Sequence, residues 1–169
     1  MKQTDNFKFD EANVMNELVY RNLSEDAKRQ ICAWKYGGEY DLYNLPSYEE
    51  MQVRQIGFMN PQSEKNYYGF WDENILVGFV NILEEKEEVF IGIGVNPDLC
   101  NKHYGQRMLL ITYEISKKLY PNKPLYLEVR TWNIRAIKCY QKAGFRIDGQ
   151  AYELTTGIGT GTFYRMIRE

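Results

Sequence analysis

A chain of 169 residues is long enough for one domain with a substantial core and short for two. Its 21 basic and 23 acidic residues leave a net charge of -2, which gives no bulk attraction to nucleic acid or to an acidic membrane surface. The N-terminus MKQTDNFKFDEAN is too polar for a signal peptide and no apolar run approaches the roughly 20 residues of a spanning helix, so a cytoplasmic protein is expected.

Residues 1–15 read as a loosely held extension ahead of a domain over residues 16–169, whose first patterned segment, NELVYRNL, is a strand. Ser24 followed by Glu25 and Asp26 starts a helix over EDAKRQICAWKY, with a stripe at positions 27, 31 and 34 and a stop at Gly37-Gly38. After the loop GEYDLYNLP, Ser47 caps a second helix, YEEMQVRQIGF. Alternating β-branched and aromatic residues from 65 to 95, broken at Asp72-Glu73-Asn74 and at residues 84–88, predict three antiparallel strands. The acidic run at 84–88 reads as a solvated hairpin tip.

Positions 108, 111, 112, 115 and 119 fall three or four apart, which predicts a helix over about 104–119, with Lys117 and Lys118 favouring its C-terminal dipole. PLYLEVR then alternates Leu125, Leu127 and Val129 against Tyr126, Glu128 and Arg130, a strand with one polar face. Asn133 caps a helix over IRAIKCYQKA, Gly144 ends it, Phe145 begins another strand, and AYELTT with GTFYRMIR closes as a hairpin across a Gly-rich turn. The fold class is therefore α/β of the layered α+β kind, a mixed and mostly antiparallel central sheet of about seven strands with about four helices.

Cys32, Cys100 and Cys139 are odd in number and form no C-x-x-C pair, which argues against a disulfide framework and a zinc site. The single histidine, His103, leaves no parts for a histidine metal cluster, so no metal is expected. A dinucleotide fold fails for want of G-x-G-x-x-G after the first strand. Residues 101–106, in CNKHYGQR, stand between a strand and a helix, where unpaired N–H groups and the positive end of a dipole could receive a diphosphate; from this stretch alone an ordinary strand-to-helix connection is the readier reading. Asn133 and Tyr140 are seven apart, hence about 20° apart in azimuth on one helix face, and Glu128 lies on the polar side of the strand before. Each has an ordinary alternative: an N-cap, a half-buried aromatic, and a cross-strand partner of a basic residue.

The segment LEVRTWNIRAIKCYQKAGF resembles the L-x-V-x-x-x-N-x-x-A-x-x-x-Y-x-x-x-G-F pattern of the GNAT superfamily of acyl-CoA-dependent N-acyltransferases, and its wording is similar to the ribosomal-protein alanine N-acetyltransferases. IGIGVNPDLCNKHYGQRML resembles the family's cofactor segment, with Cys100 where that pattern has Arg or Gln and His103 where it has its first glycine. WKYGGEYDLYN and TTGIGTGTFYRM carry a weaker likeness to aminoglycoside-type acetyltransferases.

The resemblance implies acetyl-CoA (CoA) as cofactor, held by Ile93, Val95, Lys102, His103, Tyr104, Gly105, Gln106 and Asn133, with a main-chain N–H near Val95 facing the developing oxyanion. It implies Glu128 as base and Tyr140 as general acid in direct attack of an amine on the thioester. The acceptor would be a primary amine of a small molecule or peptide; no nucleic-acid or membrane partner is expected, and a homodimer is compatible. The aromatic segment Trp34, Tyr36, Tyr40, Tyr43 and Tyr48 reads as an acceptor wall, with core packing as its alternative. A non-catalytic CoA-sensing or protein-binding module on the same fold is the other reading, favoured by the changes at Cys100 and His103.

Overall fold

The computed structural model describes residues 18–169; the extension expected over residues 1–15 lies outside the described residues, as do the first two residues of the first expected strand. Among the described residues the order is β1 (Val19–Asn22), α1 (Glu25–Ala33), α2 (Tyr48–Arg54), β2 (Tyr67–Asp72), β3 (Ile75–Glu84), β4 (Val89–Val95), α3 (Tyr104–Leu119), β5 (Leu125–Arg130), α4 (Ile134–Lys142), β6 (Arg146–Ile147), β7 (Tyr152–Thr156) and β8 (Gly159–Arg168). This is the expected order, and the strand that Phe145 opens is the short β6, which raises the count to eight.

The caps set the helix starts. Ser24 Oγ accepts from the Ala27 N–H at 3.2 Å, Ser47 Oγ from that of Glu50 at 3.1 Å, and Asn133 Oδ1 from that of Ala136 at 3.2 Å. Two helices are shorter than their patterns suggest. Gln55 takes a left-handed conformation (φ 50°) and ends α2, leaving Gly57–Met59 as a separate 3-10 turn. The first helix ends at Ala33 because Trp34 is extended, which sends Trp34 and Tyr36 off the helix toward the sheet.

The strands run β1-β2-β3-β4-β5-β8-β6, with β7 also paired to β8. All pairs are antiparallel except β4 with β5, and that parallel pair needs the long crossover that α3 supplies. Two hydrophobic clusters form. In one, Met108, Leu109 and Ile111 of α3 and Ile137 of α4 meet Val80, Ile91, Leu125, Leu127 and Val129. In the other, Ala27, Ile31 and Met51 of α1 and α2 meet Trp71, Leu76 and Phe58. Alternation along β2 sorts Tyr68 and Phe70 to the first cluster and Tyr67 and Trp71 to the second, so the clusters occupy opposite faces of the sheet.

Lys28 is buried, and its ammonium meets Glu25 at 2.7 Å and Glu64 at 2.6 Å, the pairing a buried charge requires. The acidic turn is solvated at residues 84–87, which are exposed, and it is also paired: Glu84 meets Lys123 at 2.6 Å, Glu85 accepts from the Tyr126 hydroxyl at 3.1 Å, and Glu88 pairs with Arg165. The ends of β5 and β8 run beside that turn and bring their cations with them. No helix among the described residues is long and apolar enough to cross a membrane.

Candidate active site

β4 and β5 pair only at Val89↔Leu125 and Phe90↔Tyr126 and then separate. Residues 91–95 and 127–130 lose each other as neighbours, and a cleft of about 620 Å³ opens between them. Ile93, Val95, His103, Tyr104, Gly105, Gln106, Glu128, Asn133, Tyr140, Tyr36, Tyr40 and Tyr43 all line it. Lys102 is exposed and is not among the lining residues.

One mouth of the cleft is the N-terminus of α3. His103 occupies the N-cap position without a side-chain cap hydrogen bond, and the first backbone bond of the helix runs from the Arg107 N–H to the His103 carbonyl at 3.2 Å. Among the described residues no acceptor meets the N–H groups of Tyr104, Gly105 and Gln106, which leaves three donors at the positive end of the dipole. Asn101 (φ 63°) and His103 (φ 65°) are both left-handed, so the position where the family pattern carries glycine demands a conformation glycine adopts without cost. The imidazole itself is exposed, and what the histidine brings at this position is backbone strain. Replacing His103 with Gly is expected to stabilise the fold by about 1 kcal/mol, read from a denaturation midpoint; an unchanged or lower midpoint would refute it.

Gly105 has a different reason to be glycine. A Cβ there would stand 2.9 Å from Cys139 Sγ and 3.5 Å from Val95 Cγ2, so α3 meets α4 and β4 through this residue. Gly105→Ala is expected to cost about 1–3 kcal/mol of stability by overpacking, measured by denaturant unfolding. The residue serves helix packing as well as presenting its N–H.

Tyr104 sends its hydroxyl to Asp72 at the end of β2, and the hydrogen bond to that carboxylate holds the phenol above its usual range. Gln106 reaches the Lys142 carbonyl at 3.4 Å. Asn133 uses Oδ1 for its cap and donates from Nδ2 to the Tyr43 hydroxyl at 3.2 Å, so it fixes α4 and Tyr43 together.

Tyr140 lies half-buried on α4, and no described residue hydrogen-bonds its hydroxyl. Burial, then the neighbouring Cys139, Tyr43 and Tyr36, push its ionisation well above the usual phenol range, with Arg135 opposing. The group stays protonated at any physiological pH. On β5, Leu127 and Val129 face the α3 cluster, so Glu128 and Arg130 project to the opposite face. Glu128 is half-buried, and its Oε2 accepts from the Tyr152 hydroxyl at 2.7 Å. Two thiols also line the cleft. Burial pushes Cys139 up to about 11 and raises Cys100 as well, so neither is a ready nucleophile.

The aromatic segment divides. Trp34, Tyr36, Tyr40 and Tyr43 line the cleft, whereas Tyr48 is buried between α1 and α2 with its hydroxyl on Glu25. The Tyr36 hydroxyl donates to the Val95 carbonyl at 2.7 Å and pins the segment to the end of β4. Tyr40 and Tyr43 stack near Trp132, at ring separations of 5.7 and 6.2 Å.

Several lining residues escape a reading of the sequence. Arg135, Lys138 and Lys142 stand three and four apart on α4 and all reach the cleft, a cationic stripe that its spacing alone could have disclosed. Arg130 and Phe163 also line it, and nothing local marks either.

Comparison with known proteins agrees with this geometry. The acetyltransferase (GNAT) family profile matches residues 29–145. Among solved structures, the spermidine N-acetyltransferase from Vibrio cholerae in complex with CoA and spermine superposes with a TM-score of 0.72 at 17% identity, covering 90% of this chain and 95% of that one. A GNAT-family acetyltransferase from Bacillus anthracis gives 0.69 at 16% identity, covering 90% and 94%, and one from Streptococcus pneumoniae gives 0.65 at 22%, covering 90% and 98%. A search of curated protein sequences finds no significant match. At these identities the structural likeness speaks for the fold, and the family profile, which spans more than half of the chain, speaks for the chemistry. The chain belongs to the acetyltransferase (GNAT) family and is an acetyl-CoA-dependent N-acetyltransferase.

Proposed function

We propose that Glu128 and Tyr140 are the acid–base pair of this acetyl transfer, working from two sides of the cleft between β4 and β5. The single observation that carries this reading is their placement: a carboxylate from β5 and a phenol from α4, unbonded among the described residues, line one opening. Acetyl-CoA supplies an acetyl thioester. The N–H groups of Tyr104, Gly105 and Gln106 would hold its diphosphate, and Arg135, Lys138 and Lys142 would add positive charge at the same mouth. Ile93 and Val95 wall the opening where the strands part, and Asn133 holds Tyr43 in place beside it.

An amine attacks only when neutral, and amines of pKa about 8 to 10.4 are mostly protonated at pH 7. Glu128 takes that proton, directly or through a water. As the new C–N bond forms and the C–S bond breaks, the departing sulfur receives the Tyr140 proton. Both cleft thiols are held protonated by burial, which favours direct transfer to the amine over an acyl-cysteine route. Tyr36, Tyr40 and Tyr43 form the acceptor wall, with Trp132 extending it. Two measurements test the reading together. Saturating acetyl-CoA should stabilise the protein by about 3 kcal/mol at a hundredfold excess over Kd, and amines should release free thiol from it. No shift at millimolar acetyl-CoA would reject the cleft as its site.

A further inference from the structure

Arg130 is 8% exposed, and its Nε is shielded from solvent with no hydrogen-bond partner among the described residues. Among the described residues no carboxylate forms an ion pair with it, and its one aromatic neighbour is the Phe163 ring, 4.9 Å from the guanidinium carbon. A buried cation is ordinarily paired, because desolvation of the charge is costly and a guanidinium has five donors to satisfy. Gly161, across the sheet on β8, lies so close that any Cβ would collide with Nη1. The glycine at this point of the Gly-rich hairpin is therefore a space for the guanidinium.

Arg130 lines the cleft on the same face of β5 as Glu128, two residues on. Side chains so placed on one strand stand about 7 Å apart. The pair offers a carboxylate to take up an ammonium and, one step along, an unpaired guanidinium suited to bidentate pairing with a carboxylate. A zwitterion has those two ends at that separation. Arg165, opposite Glu128 on β8, is already engaged by Glu88 and Asp148, and the Arg135 guanidinium lies over the Tyr40 ring at 4.0 Å.

We propose that Arg130 receives a carboxylate of the acceptor, so that the amine acetylated here belongs to an amino acid, or to a peptide end with a carboxylate close to the reacting nitrogen. The proposal rests on Glu128 facing the acceptor, as described above. It separates this chain from enzymes for polycationic acceptors, because an extended polyamine offers nothing to Arg130 and meets an unneutralised positive charge.

The test is thiol release from acetyl-CoA with matched acceptors: phenylalanine against phenethylamine, methionine against 3-(methylthio)propylamine, and aspartyl dipeptides against their alanyl counterparts, with spermidine and an aminosugar phosphate alongside. The expected result is a preference for the carboxylate-bearing acceptor of about 100-fold or more in kcat/KM within at least one pair. Arg130→Met should compress that ratio to within about tenfold, while acetyl-CoA still raises the melting temperature of the variant. Equal or better use of the decarboxylated amines, of spermidine or of the aminosugar phosphate by the wild-type protein overturns the proposal without needing any variant to fold. So does loss of the acetyl-CoA shift in a folded Arg130→Met protein, which would assign the guanidinium to the cofactor. Failure of the wild-type protein to bind acetyl-CoA in calorimetry is a different outcome: it removes the cleft reading itself, and the acceptor assignment with it.

Discussion

Tyr140→Phe is expected to lower kcat by about 100-fold, at the low end of what a positioned acid contributes, with KM for the acceptor changed little. The low end follows from the leaving group, since a thiol of pKa about 8.5 departs more readily than an alkoxide and draws less help from an acid. Stability should move by no more than about 0.5 kcal/mol, because the ring stays in place and the hydroxyl has no partner among the described residues to lose. A large fall in activity without a fall in stability is the signature sought. Because burial and the neighbouring Cys139 hold this phenol protonated far above neutrality, the acid limb should not titrate through Tyr140 between pH 6 and 9. An unchanged kcat would remove the residue from its role.

Glu128→Gln should cost about 100- to 10,000-fold in kcat/KM near neutral pH. Gln keeps the shape and can still accept from the Tyr152 hydroxyl, so the strand and the groove should persist. The deficit has a direction in pH. Below the pKa of the amine the wild-type protein removes the ammonium proton inside the cleft, whereas the variant must wait for amine already neutral in solution. The two rates should therefore converge as pH rises toward that pKa, and a constant ratio from pH 6.5 to 9.5 would acquit the carboxylate. The pair of variants also separates the two proton transfers, since only the Glu128 change should respond to the basicity of the acceptor.

The placement of Glu128 and Tyr140 depends on how two kinds of sequence signal meet. Glu128 is brought to the cleft because β5 alternates, with Leu125, Leu127 and Val129 drawn into the α3 cluster and the even positions turned away. Tyr140 arrives because Asn133 caps α4 and fixes its phase seven residues earlier. Both were legible. The opening they line is different, since it exists only because β4 and β5 stop pairing after Phe90 and Tyr126, a relation between segments 36 residues apart in register terms and bridged by a helix. The family pattern at residues 100–106 falls on the start of α3, but the left-handed backbone at His103, where that pattern has glycine, is visible only in the structure.

By itself the sequence determined the order of strands and helices, the caps at Ser24, Ser47 and Asn133, and the family, because periodicity, capping and turn chemistry act over a few neighbouring residues. Tertiary structure alone decided that Arg130, read as part of the polar face of its strand, is buried with its Nε unpartnered among the described residues, that Tyr48 belongs to the second core while Tyr36 pins itself to Val95, and that Gly105 is a contact with Cys139. Each of these depends on which distant atoms come to rest beside a side chain. Phe163 and Gly161 come to Arg130 through the β5–β8 register, and Cys139 comes to Gly105 through the packing of α4 on α3. Burial and charge pairing are properties of that assembled neighbourhood, which no local repeat encodes.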